Sequence, residues 1–181
     1  MNVTFQIRLV AALVALASQA LAATASEAKM SSILVVDERA PALTITIPRY
    51  QLTALERETV AACLVLEAAS QGTRGMRAVM AVIHNRSRGL PELFSVTVLR
   101  EKQFSALNRA TSGRESLVQL IRRAQRDRTW PQALAIVDEA LGDGWIDPTR
   151  GATHYTRSVE TTRWTRSLAK TVTIGAHSFY R

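Results

Sequence analysis

The stretch "LVLEAASQG", residues 64–72, places one carboxylate among apolar residues. Glu67 follows Leu64 by three positions and Val60 by seven, so it falls on the apolar face of a predicted helix. A carboxyl group held against apolar neighbours has a raised pKa, because burial disfavours its charged form. A carboxyl that keeps its proton can act as a general acid on a leaving oxygen, and glycoside cleavage uses this chemistry. Glu67 is therefore a candidate catalytic acid.

Periodicity alone leaves a structural role open for the same residue. A carboxylate near the end of a helix can reach water, or it can pair with Arg74 or Arg77 a short distance along the chain. In that case Glu67 would only stabilise the domain.

Two helices are expected around Glu67. Thr53 and Glu56 have the spacing of a capping box, so the first helix should begin at Thr53, and "SQGTRG" should end it. The second helix should end at "NRSRG". Its apolar face recurs with the i, i+3, i+4, i+7 spacing of a buried helix, at Met76, Val79, Met80 and Ile83.

The remainder predicts a helix-dominated α+β domain. A third helix is expected at about 114–126, and Pro131 suits the first turn of a fourth that ends before Gly142. A short extended piece is expected at 95–99. "ATHYT" and "TVTIGAHSFY" predict a small antiparallel sheet near the C-terminus, with a turn at Gly175 and Ala176.

The N-terminal residues have the pattern of a targeting segment. Arg8 precedes the apolar run "LVAALVALASQALA", which predicts a signal peptide over 1–22; the alternative is an uncleaved anchor, for which the run is short. An arm follows over 23–50, with candidate strands at 32–37 and 42–47. Residues 51–181 are expected to form a single domain, which would be the catalytic one if Glu67 acts as an acid. Export to the periplasm or beyond the cell is expected, with no stable membrane insertion after cleavage.

Composition indicates the charge of a partner but does not choose among anionic partners. The formal net charge is +8, and the chain has one cysteine, Cys63, so no intramolecular disulfide can form. A basic exported protein suits an anionic partner, which could be a cell-wall polymer, a membrane surface or a nucleic acid. The arginines of "RRAQRDR" (122–128) lack interleaved aromatic residues, so a solvated helix face is expected there rather than a nucleic-acid site. The protein is expected to be a monomer.

Several motifs occur in a fixed order after Glu67. They are "EAASQGTRGMRAVMAVIHNRSRG", "QFSAL", "GATHYTR", Trp164 and the final "TIGAHSFY". Together they resemble the SleB/CwlJ-type cell-wall hydrolases, which share a glutamate-alanine opening, a glycine eight residues later and a helix that ends in Asn-Arg. Glu67, Gly75 and Asn85-Arg86 match that pattern, and the resemblance covers about 67–181.

The resemblance implies a lysozyme-like fold and cleavage of peptidoglycan between N-acetylmuramic acid and N-acetylglucosamine, as a lytic transglycosylase or a muramidase. Glu67 aligns with the family's catalytic acid, and no metal or organic cofactor is implied. Six residues are candidates for contacting the glycan: Gln71, Gln103, Phe104, His154, Tyr155 and Trp164. For the aromatic residues among them, a purely structural role is the alternative.

One departure from the family concerns Gln71. Many relatives carry a second glutamate at this position, four residues after the first, and an amide cannot take up a proton at neutral pH. A non-catalytic peptidoglycan-binding protein therefore remains an alternative function.

A metal-dependent amidase or peptidase is the other alternative. His84, His154 and His177 could serve as ligands, but no two of them are close in sequence and there is no HExxH motif.

Overall fold

The computed structural model of the chain describes residues 50–181. The predicted signal peptide, and the arm with its candidate strands at 32–37 and 42–47, lie outside the described residues. Within them, no helix is long and apolar enough to cross a membrane.

Helix α1, Ala54–Ala68, begins as the sequence predicts. The Thr53 hydroxyl accepts a hydrogen bond from the Glu56 N–H at 3.3 Å, and the Glu56 carboxylate accepts one from the Thr53 N–H at 2.8 Å. This reciprocal pair satisfies two backbone donors that the first turn leaves free. Residues 60–64 of α1 are completely buried, so the helix runs through the centre of the core.

Helix α2, Gly72–Arg86, follows α1 after one 3₁₀ turn, Ala69–Gln71. The chain reverses at Gly72, whose φ of +65° is a left-handed conformation that glycine adopts without a steric cost. The predicted apolar face of α2 is buried, and α2 packs against α1.

Four further helices follow in the described part of the chain: α3 Phe94–Val98, α4 Asn108–Thr111, α5 Leu117–Gln125 and α6 Trp130–Ala140. The helices predicted at 114–126 and after Pro131 are thus confirmed, with α5 shorter than expected. α1 contacts α2, α3, α5 and α6, and its residues form the middle of the hydrophobic core.

The extended piece predicted at 95–99 is wrong, because this segment is helix α3. Its β-branched residues favour a strand in isolation. A helical turn instead places Phe94 and Val98, four residues apart, on one buried face. The hydroxyls of Ser87 and Thr97 share a buried hydrogen bond of 2.8 Å, which ties α3 to the end of α2.

Three strands form an antiparallel sheet at the C-terminal end: β1 His154–Arg157, β2 Lys170–Ile174 and β3 His177–Tyr180. β3 lies in the middle, in the order β1-β3-β2, and Tyr155 of β1 is opposite Phe179 of β3. The β2–β3 turn contains Gly175 at φ +58°. The prediction of a helix-dominated α+β domain with a small C-terminal sheet is confirmed.

Candidate active site

Glu67 lies in the last turn of α1, half-buried, and each of its carboxylate oxygens is hydrogen-bonded. Oε1 accepts from the Ala106 N–H at 2.7 Å and from the Ser105 hydroxyl at 3.0 Å. Oε2 accepts from the Tyr155 hydroxyl at 2.9 Å. The expectation that apolar residues surround the carboxyl group is therefore wrong. Residues 60–65 of α1, before Glu67, are apolar and buried, but the two carboxylate oxygens contact three hydrogen-bond donors in a polar cleft.

An ion pair between Glu67 and a neighbouring arginine, one of the two structural roles left open, does not occur. Arg77 is paired with Glu139 on α6, and Arg74 is exposed. The glutamate side chain is instead directed into the cleft between two walls.

The first wall is the loop wall, defined as residues 102–107. Phe104 is 2% exposed and anchors it in the core. The 3₁₀ turn Ser105–Leu107 follows, so the Ala106 N–H is in the first turn, where backbone donors have no intrahelical partner. Glu67 supplies the missing acceptor.

The second wall is the sheet wall, defined as residues 153–157, and it supplies Tyr155. The Tyr155 ring stacks on Phe179 at 5.7 Å and meets His177 edge-on at 5.3 Å, centroid to centroid. Burial raises the pKa of Tyr155 well above 10, and the negative charge of Glu67 raises it further. Its hydroxyl therefore remains a hydrogen-bond donor at every physiological pH.

The loop that enters β1 is organised by Asp147. Its Oδ1 accepts from the Thr149 N–H and hydroxyl, both at 2.6 Å, while Oδ2 accepts from the Gly151 N–H at 2.7 Å and the Asn85 amide at 3.0 Å. Burial raises the pKa of Asp147, but these hydrogen bonds outweigh it and the pKa is lowered. Asn85 also donates to the Ala152 carbonyl at 2.9 Å, so the end of α2 fixes where β1 begins.

The two walls enclose a cleft of about 720 Å³, with Glu67 among its lining residues. Its other lining side chains are mostly polar or aromatic: Leu66, Arg86, Lys102, Gln103, Ser105, Asn108, His154, Tyr155, Thr156, Arg157, Glu160, Trp164 and His177. This volume lies within the range of about 300–1,000 Å³ that is typical of ligand-binding pockets.

Two histidines of the cleft favour the neutral form. Burial lowers the pKa of His154, and the positive charge of Arg86 lowers it further. Burial also lowers the pKa of His177, against the opposing effect of the nearby Glu67 charge. Neutral imidazoles can both donate and accept hydrogen bonds, which suits a polar uncharged ligand.

Residues 70–180 match a family model described as Cell Wall Hydrolase. The chain belongs to this family. The match covers both walls of the cleft, and it confirms the resemblance inferred from the order of the motifs.

Two solved structures share the fold. The catalytic domain of the germination-specific lytic transglycosylase SleB from Bacillus anthracis is 24% identical; the alignment covers 75% of this chain and 100% of that one, with a TM-score of 0.55. The catalytic domain of the Bacillus cereus SleB protein is 25% identical, with 72% and 93% covered and a TM-score of 0.54. No curated protein matches the chain significantly.

Four of the six predicted glycan contacts lie in the cleft: Gln103, His154, Tyr155 and Trp164. The Trp164 ring lies 5.4 Å from His154 and meets Tyr180 edge-on at 5.4 Å. It is half-buried, so part of the ring remains open to the cleft.

The other two predicted contacts lie elsewhere. Phe104 is in the core beneath the loop wall, with its ring 6.4 Å from Tyr155, so it supports the site rather than facing a sugar. Gln71 does not line the cleft; its amide oxygen accepts a hydrogen bond of 2.7 Å from the Ala176 N–H in the β2–β3 turn.

Sequence reasoning missed several groups of the site. Ser105 and the Ala106 N–H contact Glu67 directly. Both residues stand in the "QFSAL" motif, but their residue types do not indicate a contact with Glu67, and a backbone donor leaves no trace in the sequence. Arg86 and Glu160 also line the cleft. The Asn85-Arg86 motif drew attention to Arg86, but the sequence analysis used this motif only to mark the end of the second helix.

The three histidines considered as metal ligands are not brought together. His84 lies beside Trp145 at 6.0 Å, away from the two cleft histidines. Within residues 50–181, no group of three or more histidine, cysteine, aspartate or glutamate side chains is arranged to hold a metal ion.

Proposed function

We propose that the chain cleaves the N-acetylmuramic acid–N-acetylglucosamine bond of peptidoglycan as a lytic transglycosylase, with Glu67 as both acid and base. The observation that carries the proposal is the Glu67 carboxylate inside a large polar cleft, with both of its oxygens fixed by donors from opposite walls. Family membership supports the substrate class, and the likeness to SleB supports the reaction type.

In the first step, protonated Glu67 transfers its proton to the bridging oxygen while the bond from this oxygen to muramoyl C1 breaks. The electron pair of that bond leaves with the oxygen, which becomes the 4-hydroxyl of the departing N-acetylglucosamine. Glu67 is left as a carboxylate. Tyr155, Ser105 and the Ala106 N–H all donate to it, so they bind the product of proton transfer more strongly than the starting acid.

In the second step, the Glu67 carboxylate removes the proton of the muramoyl C6 hydroxyl. The freed oxygen attacks C1 and closes a 1,6-anhydro ring, so Glu67 regains its proton and no water is consumed. The substrate supplies its own nucleophile, and the mechanism needs no second catalytic carboxylate and no cofactor. Gln71 in place of the family's second glutamate is compatible with this scheme, because it contacts a backbone amide of the β2–β3 turn.

The glycan would lie along the cleft, with the exposed part of Trp164 and the His154 ring against one sugar face. Gln103 is exposed at the opposite wall, where its amide can bond hydroxyl or acetamido groups. The net positive charge favours approach to anionic wall polymers. Such a substrate requires export, to the periplasm or beyond the cell.

Glu67→Gln tests the proposal, because the amide keeps the shape of the side chain but cannot donate a proton to the leaving oxygen. Purified sacculi should release muropeptides with the wild-type protein and none with the variant, while both proteins still sediment with sacculi. Mass spectrometry should find 1,6-anhydro ends, which are lighter by one water than reducing ends. Reducing ends in the products would indicate that the protein is a muramidase rather than a lytic transglycosylase. If the wild-type protein leaves the glycan uncut, the result would favour a non-catalytic peptidoglycan-binding protein. Stripped stem peptides that vanish with a chelator would instead indicate an amidase.

A further inference from the structure

Arg86, the last residue of α2, contacts both walls of the cleft. Its Nε–H donates to the Thr153 carbonyl of the sheet wall at 2.6 Å. Its Nη1–H donates to the Gln103 carbonyl of the loop wall at 3.2 Å. One guanidinium group therefore spans the same two segments that hold the Glu67 carboxylate.

The two carbonyls lie close in sequence to the donors on Glu67. Thr153 precedes Tyr155 by two residues, and Gln103 precedes Ser105 by two. A shift of either carbonyl therefore moves a donor to Glu67 with it. Since the walls belong to segments about 50 residues apart in the chain, no local backbone structure sets their separation.

The surroundings of Arg86 keep it in place. Its guanidinium carbon lies 5.0 Å from the centre of the buried Phe104 ring, a cation–π geometry. An arginine presents several N–H groups in one rigid plane, whereas a lysine presents a single ammonium point at the end of a flexible stem. At this position arginine is therefore required, because its rigid plane of N–H groups reaches both carbonyls while its positive charge lies over the Phe104 ring.

We propose that Arg86 is a positioning residue, a clamp that sets the spacing of the loop wall and the sheet wall so that their donors meet the two oxygens of Glu67. The inference rests on the proposed function for its catalytic consequence, but the clamp itself is a property of the fold. Arg86 acts on Glu67 only through the two walls. We therefore expect that loss of Arg86 lowers turnover while glycan binding persists.

Arg86→Lys and Arg86→Met test the clamp, with Arg74→Met as the matched control. Arg74 is an exposed arginine on the same helix and lies outside the cleft, so its loss changes net charge equally. On soluble glycan strands, kcat should fall by up to about 100-fold in both Arg86 variants, as small misplacements of catalytic groups do, with KM nearly unchanged. Arg86→Lys should not restore the rate, because charge without the planar fork cannot hold both carbonyls.

Amide hydrogen exchange supplies a measurement that does not depend on activity. The Ala106 N–H should exchange faster in both Arg86 variants, while amides in the middle of α1 keep wild-type rates. A lysine variant with the wild-type kcat, or an unchanged Ala106 exchange rate in a folded variant, would overturn the clamp. Equal acceleration of all amides would show a general loss of stability instead, which also contradicts it. If the wild-type protein cuts no glycan, the proposed function fails, yet the exchange experiment still decides on the clamp.

Discussion

Replacing Tyr155 by phenylalanine removes one of the three donors to Glu67 and little else. The ring stays packed on Phe179 and His177, because only the hydroxyl is lost. The variant should therefore fold normally, and the change in rate should report the hydrogen bond of 2.9 Å to Glu67 Oε2.

The size of the effect follows from the change of charge on Glu67 during proton transfer. A hydrogen bond to a neutral group contributes about 0.5–1.5 kcal/mol and one to a charged group about 1.5–3 kcal/mol, so the bond strengthens by roughly 1–1.5 kcal/mol as the carboxylate forms. Only this difference between ground state and transition state affects kcat. At about 1.4 kcal/mol per tenfold, kcat should fall about five- to tenfold.

The assay compares initial rates of anhydro-product release from soluble glycan strands for the wild type and Tyr155→Phe. Tyr50→Phe is the matched control, because Tyr50 also donates its hydroxyl to a carboxylate, that of Glu56, at 3.0 Å on the exposed side of the α1 N-terminus. The control should keep the wild-type rate. A Tyr155→Phe variant with wild-type kcat would show that this donor does not stabilise the carboxylate formed in the reaction.

Two further predictions concern stability. Asp147→Asn should lower the free energy of unfolding by about 1–3 kcal/mol at pH 7, because the new amide N–H groups face existing donors. The pKa of Asp147 is lowered in the folded protein, so its contribution to the free energy of unfolding is complete above the unfolded pKa of about 3.9 and is lost as pH falls through the folded pKa. Urea titrations should therefore give converging stabilities for the wild type and Asp147→Asn at acid pH. A stability difference that does not change with pH would refute this. Asp127→Asn, at a half-buried turn where the carboxylate accepts similar bonds from Thr129, is its control. Phe104→Ala should cost about 3–5 kcal/mol in urea unfolding and should lower activity through Arg86; a loss below about 1 kcal/mol would show that the ring is not part of the core.

Local signals in the sequence were sufficient for the main helices. The Thr53–Glu56 capping box places the start of α1, and the same pattern at Ser116 and Gln119 opens α5. These devices act within one turn, so a single sequence contains all the information they need. The strand error at 95–99 arose because burial of Phe94 against α1, which sequence propensity does not contain, outweighs the preference of β-branched residues.

In the candidate site, too, the sequence indicated what depends on local pattern and missed what depends on tertiary contacts. Glu67 was identifiable because a carboxylate inside an apolar helix is costly and therefore conspicuous. The three hydrogen-bond donors to Glu67 were harder to predict, since they come from residues 38, 39 and 88 positions away and one of them is a backbone amide. Arg86 was visible as part of a motif, but its two carbonyl partners depend on the packed arrangement of both walls. Contacts of that kind are set by tertiary structure.

The order of the strands has a consequence for how the domain matures. Among the strands of residues 50–181, β1 pairs only with β3, which occupies the middle of the sheet but is made after both β1 and β2. Until residues 177–180 have been synthesised, Tyr155 has neither its strand neighbour nor the Phe179 ring beneath it. A nascent chain would thus carry Glu67 long before the Tyr155 donor is in place, and the sheet wall of the cleft would be complete only after β3 has been made.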